Sequence, residues 1–242
     1  MIILHSIKGT PLLKYVFEPP GLTLIPVANS AQEFPVHRVY CVGKNYAAHV
    51  REMGLDPKRD PPCFFMKPAD AIVTTGRIPY PPGTTNYHYE AELVIAIGKQ
   101  GSNIHAEEVM SYIYGYAVGF DMTRRDLQIS SGKLGYPWET GKGFDYSAPI
   151  SSVYPLSEVG RIDSGRIALT VNGETRQDSD ISDMIWKNHE IISELSRLFI
   201  LQPGDLIFTG TPAGVGAVVP GDKLVASIEK LGEVAIEIVE PL

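Results

Sequence analysis

The stretch Tyr87–Lys99, YHYEAELVIAIGK, decides how this chain is to be read. It opens as a polar segment with two glutamates and passes at once into a buried strand. Side chains alternate faces along a strand, so Glu90 and Glu92 project from one side, followed there by Val94 and Ala96. Ala91, Leu93, Ile95 and Ile97 line the other. Both faces thus become apolar within a few residues of the carboxylates. The pair reads either as a solvated strand end, the usual state of charged side chains, or as two like charges held at a core boundary by a counter-charge.

A second apolar strand, YGYAVGF, ends at Asp121, which places a third carboxylate at a sheet rim. Three carboxylates without a cysteine form a hard, oxygen-rich donor set, suited to Mg²⁺, Mn²⁺ or Ca²⁺ rather than zinc. His49 and Glu52 stand three apart in NYAAHVREMG, on one face of a predicted short helix that Gly54 stops. They read either as a solvated helix surface or as a dyad in which a carboxylate orients an imidazole base. The loop FTGTPAGVG, Phe208–Gly216, reads either as a structural turn or as a cradle of backbone N–H groups for an anion. Lys142 is open between a solvated loop charge and a cation facing a substrate carboxylate. Arg124 and Arg125 read equally well as helix-surface charges.

Around these positions the pattern is β-rich. Val39–Gly43, CFFMKP and LIFTG are predicted strands, as are KLVASIE and EVAIEIV, joined near Leu231-Gly232. IALTVNGETRQ carries Asn172-Gly173 between two strands, a hairpin signal. Helices are predicted over AEEVMSYI and over TRRDLQISSGK, the latter with Thr123 as cap and Asp126 three residues on. Another runs along the stripe Ile191, Ile192, Leu195 and Leu198. The fold class is α+β, with strands dominant and helices few and short, not a doubly wound sheet. Residues 1–35 form a leading segment of short strands and turns, and 36–242 the main domain.

At 242 residues, 44% hydrophobic, the chain is long enough for one large core. A formal charge of −7 with no basic patch argues against nucleic acid as partner. No apolar run reaches membrane-spanning length, and MIILHSIKGT lacks the features of a signal peptide. Cys41 and Cys63 make no disulfide framework and read as small core residues, which fits a reducing cytoplasm.

In order along the chain, CVGKNYAAHVREMG, PPCFFMKPADAI, YHYEAELVIAIG, GYAVGFDMTRRDLQ, PWETGKGFD, VNGETRQ, DMIWKNHEIISELS and LQPGDLIFTGTPAGVG resemble the fumarylacetoacetate hydrolase superfamily. Within it, the compact chain is most similar to fumarylpyruvate and acylpyruvate hydrolases. The resemblance covers about residue 36 to the C-terminus and implies a β-rich roll around a metal site, usually in a homodimer. It implies Glu90, Glu92 and Asp121 as ligands of Mg²⁺ or Mn²⁺, and His49 with Glu52 as the water-activating dyad on a segment that orders as a lid. It places Lys142 against the substrate and Thr211 with Gly210 at a pyruvyl carboxylate. Arg125 and Gln128 fall at substrate-side positions, and Lys44 stands where the family often has Arg. The implied reaction is hydrolysis of the C3–C4 bond of a 2,4-dioxo acid, with fumarylpyruvate giving fumarate and pyruvate as in gentisate catabolism. Decarboxylation or tautomerisation of oxaloacetate at the same site is the alternative, and a non-catalytic, cation-stabilised binding protein a remote one.

Overall fold

The computed structural model describes residues 15–57 and 59–242. The first part of the predicted leading segment, residues 1–14, lies outside them. The organising element is a six-stranded mixed sheet. Its strand order is Tyr154–Pro155, Ile113–Phe120, Ala91–Ile97, Leu206–Phe208, Val39–Gly43 and Cys63–Lys67. Ala91–Ile97 is central, buried on both sides along its whole length. Its two faces meet different cores, as the alternation predicts. Leu93, Ile95 and Ile97 belong to the larger core, with Val118, Phe120, Leu169 and Ile191. Val94 and Ala96 belong to the smaller one, with Cys41, Ala117 and Phe208.

A second sheet, ordered Glu174–Asp180, Arg166–Val171, Lys223–Ile228, Gly232–Val239 and Arg77–Pro79, covers the larger core. Its hairpin turns at Asn172-Gly173, both left-handed at φ 52° and 84°, the conformation the dipeptide favours. The smaller core is closed by the pair Leu24–Pro26 and Glu33–Pro35, which buries Ile25 and Phe34 against the first sheet. Among the described residues, no helix is long and apolar enough to cross a membrane.

Three local expectations are corrected. AEEVMSYI forms only a 3₁₀ turn, Val109–Ser111. So short a segment gains little from helix propagation, and Ile113 instead joins the sheet opposite Ile97. Thr123 is no helix cap: it pairs with His88 in a short ladder, and the helix Arg125–Leu134 starts after Arg124. The Thr123 hydroxyl donates to the Asp121 carbonyl at 3.0 Å. In the helix Asn188–Leu198, Ile191, Ile192 and Leu195 are buried, but Leu198 is 66% exposed because the helix ends there, beyond the core.

Candidate metal centre and active site

The register of the two central strands assembles the carboxylates. Ala91 pairs with Phe120 and Glu92 with Gly119, so Glu90 and Asp121 face each other one step beyond. The Asp121 N–H donates to the Glu90 carbonyl at 2.9 Å. Glu90, Glu92 and Asp121 are all buried, and each offers an oxygen within 4.8 Å of the others. Oxygens bound to one ion at ~2.0–2.6 Å can be no farther apart than about 5 Å, so the three fit a single cation of that kind.

Three buried cations balance them. Lys142 Nζ donates to Glu90 Oε2 at 2.9 Å, to Asp121 Oδ2 at 2.7 Å and to the Thr123 hydroxyl at 2.7 Å. The Arg125 guanidinium donates to Glu90 Oε1 and to Gln128. Lys67 Nζ approaches Asp121 Oδ1 to 2.8 Å and donates to the Met122 carbonyl at 3.1 Å. Burial disfavours the Glu90 carboxylate, yet Lys142 and Arg125 outweigh it and hold its pKa far below the usual range. Burial pushes Glu92 well above that range, and Asp121 and Glu90 beside it push the same way. Asp121 Oδ1 is fully buried, and its neighbour there is the Lys67 ammonium. A carboxyl destabilised by burial and by its like-charged neighbours is what a cation at this point would relieve.

His49 sits on the short helix Ala47–Glu52, with Nδ1 3.1 Å from Glu52 Oε2. That contact assigns the ring proton to Nδ1 and leaves Nε2 as a base. The glycine loop touches both groups. Gly210 donates its N–H to Glu92 Oε2 at 2.8 Å, and Gly214 donates to Glu52 Oε1 at 3.0 Å. Both glycines are left-handed, φ 100° and 98°, and a Cβ at Gly210 would meet Asn45 Cβ at 2.7 Å. The loop's amides therefore orient the protein's own carboxylates. Thr211 lines the cavity, and its hydroxyl donates to the Ala91 carbonyl at 2.9 Å while accepting from Gln177.

A cavity of about 330 Å³ joins these parts; His49, Glu90, Glu92, Asp121, Lys142 and Thr211 all line it. Lys44, Arg125 and Gln128 line it too, so nearly all the site residues expected from the sequence converge on one space. The solvated-charge readings of Lys142 and Arg125 are overturned, since both are buried in ion pairs with Glu90. Residues 38–239 match the family model described as fumarylacetoacetate (FAA) hydrolase C-terminal.

The chain belongs to the fumarylacetoacetate hydrolase family. It is 47% identical to a fumarylpyruvate hydrolase of Ralstonia sp. over 72% of this chain and 91% of that one. It is 42% identical to an Arabidopsis thaliana mitochondrial oxaloacetate tautomerase, over 85% and 93% of the respective chains. The crystal structure of the fumarylpyruvate hydrolase from Pseudomonas aeruginosa, in complex with Mn²⁺ and pyruvate, is 53% identical. It superposes with a TM-score of 0.92, covering 94% of this chain and all of that one.

In this family member, reading the sequence missed Lys67 and Gln177. Lys67 continues the face of Phe65 along Cys63–Lys67, so its period-two position was the available signal. Gln177 is fully buried in a strand whose sequence is polar throughout. It accepts from the Ala91 N–H at 3.0 Å and donates to Thr211 and to the Pro212 carbonyl. Nothing in ETRQDSD sets that glutamine apart from its exposed neighbours.

Proposed function

We propose that the protein is a metal-dependent C–C hydrolase that cleaves a 2,4-dioxo acid, with fumarylpyruvate and water giving fumarate and pyruvate. The observation that carries this reading is one cavity lined by both the buried triad Glu90–Glu92–Asp121 and the base His49, itself held by Glu52. Similarity to two fumarylpyruvate hydrolases supports the choice of substrate.

His49 Nε2 takes a proton from water as the oxygen attacks the C4 carbonyl, and Glu52 stabilises the imidazolium that forms. The C3–C4 bond then breaks. C4 leaves as the new carboxyl group, and the electron pair passes to the three-carbon fragment, which takes a proton at C3 to become pyruvate. A divalent cation held by Glu90, Glu92 and Asp121 would supply Lewis acidity for the charge that builds on that fragment. Lys142, between Glu90 and Asp121, holds positive charge beside the reacting oxygens. Thr211, Gln128 and Arg125 orient the substrate, Lys44 meets it as a point charge, and Gly210 fixes Glu92.

The reading extends to Mg²⁺ or Mn²⁺ as the metal, to residues 36–242 as the catalytic unit, and to a cytoplasmic homodimer acting in the breakdown of aromatic acids such as gentisate. These rest on the family resemblance. Similarity to an oxaloacetate tautomerase supports a second reading, in which the same site acts on oxaloacetate.

EDTA-stripped protein, assayed with and without Mg²⁺ on fumarylpyruvate and on oxaloacetate, separates the two. Metal-dependent release of pyruvate and fumarate supports the hydrolase. Turnover of oxaloacetate with fumarylpyruvate untouched supports the second reading.

A further inference from the structure

The cavity carries more positive charge than the triad engages. Among the described residues, no carboxylate besides the triad lines it, whereas Lys44, Arg125, Lys133 and Lys142 do. Arg125 and Lys142 pair with Glu90 and Asp121. Lys44 and Lys133 are exposed and form no ion pair with any described residue.

The helix Arg125–Leu134 places Lys133 relative to the triad. Arg125, Gln128, Ile129, Gly132 and Lys133 line the cavity at helical spacing, so they form one stripe. The stripe begins at Arg125, whose guanidinium meets Glu90, and ends at Lys133, about 12 Å farther along the axis at a rise of ~1.5 Å per residue. Trp138 lies near Lys44 and near Gly132, the chain neighbour of Lys133. A Cβ at Gly132 would lie 3.5 Å from its Nε1, and Lys44 Nζ lies 6.0 Å from its ring centroid. Between triad and lysines the wall is apolar: the Phe65 ring lies 5.2 Å from Lys142 Nζ and 5.8 Å from the Trp138 ring, and Ile129 lies midway along the helical stripe. The cavity therefore runs from a cation-binding inner end, through an apolar middle, to a cationic mouth.

We propose that Lys133, flanked by Lys44, is a carboxylate-binding subsite that selects 2,4-dioxo acids whose acyl chain ends in a second carboxylate. This rests on the hydrolase reading above and deepens it. The chain's formal charge of −7 repels an anionic substrate at long range, so unpaired cations at the mouth supply the local attraction that entry needs. Lys133 also lies in the last turn of its helix, where a cation complements the helix dipole. That role would alter stability and leave substrate preference unchanged.

The test compares kcat/KM for fumarylpyruvate and for acetylpyruvate, which lacks the distal carboxylate, in the Mg²⁺-loaded protein. It uses the unaltered chain, Lys133→Gln, Lys133→Arg and the double variant Lys44→Gln/Lys133→Gln. Both side chains are exposed, so the variants fold. The preference for fumarylpyruvate falls by roughly tenfold to a hundredfold in Lys133→Gln, the range for losing a hydrogen bond to a charged group. It falls further in the double variant, chiefly through KM, and returns in Lys133→Arg. A preference unaltered in the double variant, or an equal loss on both substrates, overturns the subsite. Failure of the unaltered protein to hydrolyse either compound overturns the hydrolase reading, and the subsite with it.

Discussion

Glu90 and Asp121 face each other across two antiparallel strands, and a single ammonium, that of Lys142, lies 2.9 Å from one and 2.7 Å from the other. Glu92 completes the triad but has no cation of its own in the described hydrogen bonds; its partner is the Gly210 amide. The triad is thus electrostatically unequal, with Glu90 held strongly acidic and Glu92 pushed the other way.

That inequality predicts opposite effects from one substitution. Glu92 has a folded pKa raised above its ordinary 4.5, so it contributes stability below that value and loses it as pH rises through the folded value. At neutral pH without metal, Glu92→Gln should therefore raise the denaturation midpoint. Mg²⁺ or Mn²⁺ at a hundred times its Kd should stabilise the unaltered protein by about 2.7 kcal/mol and the variant by much less. Denaturant titrations with and without metal measure both.

The dyad predicts a loss of rate without a loss of fold. His49→Ala should lower hydrolysis by ~100-fold or more, the usual contribution of a positioned general base. Glu52→Gln should cost less, because the amide still accepts from the Gly214 N–H while no longer stabilising an imidazolium. Steady-state rates with circular dichroism as the control decide this, and wild-type hydrolysis in His49→Ala would remove His49 from the mechanism.

Lys67 is a buried counter-ion. Its ammonium touches Asp121 and donates to the carbonyls of Met122 and Lys142. Lys67→Met leaves Asp121 with one cation fewer in a buried setting, which should destabilise the protein by about 3 kcal/mol. Chemical denaturation at pH 7 is the measurement, and a change within the noise would show that Lys142 alone compensates Asp121.

Asp126 fixes the start of the helix that lines the cavity. Its carboxylate accepts from the Thr84 hydroxyl at 2.6 Å and from the Leu127 N–H at 2.9 Å. Partial burial opposes the charge, but these bonds outweigh it and lower the pKa from 3.8. A depressed carboxyl contributes stability above its unfolded pKa and loses it as pH falls through the folded one. Asp126→Asn should therefore be less stable than the parent at pH 7, and the two thermal-denaturation curves should converge on acidification below that pKa.

Much of this was legible in the sequence because the relevant signals are local. Alternation along Tyr87–Lys99 placed Glu90 and Glu92 on one face, and the end of the next apolar strand placed Asp121. The hairpin at Asn172-Gly173 follows from the backbone those residues favour. What was not legible depends on distant partners. Lys67 and Gln177 look like ordinary polar ends until the sheets close over them. The loop Phe208–Gly216 shows its glycines but not that its amides serve Glu92 and Glu52, which lie more than a hundred residues earlier. Thr123 failed as a cap because its hydroxyl is held by Asp121 and Lys142.

Turnover of fumarylpyruvate by the Mg²⁺-restored protein in H₂¹⁸O, with mass spectrometry of the fumarate formed, tests the central claim most directly. Hydrolysis at C4 places one solvent oxygen in the new carboxyl group of each fumarate, and EDTA abolishes its formation. Turnover that yields no labelled fumarate, or labelling that persists without metal, would contradict C–C hydrolysis at the Glu90–Glu92–Asp121 site.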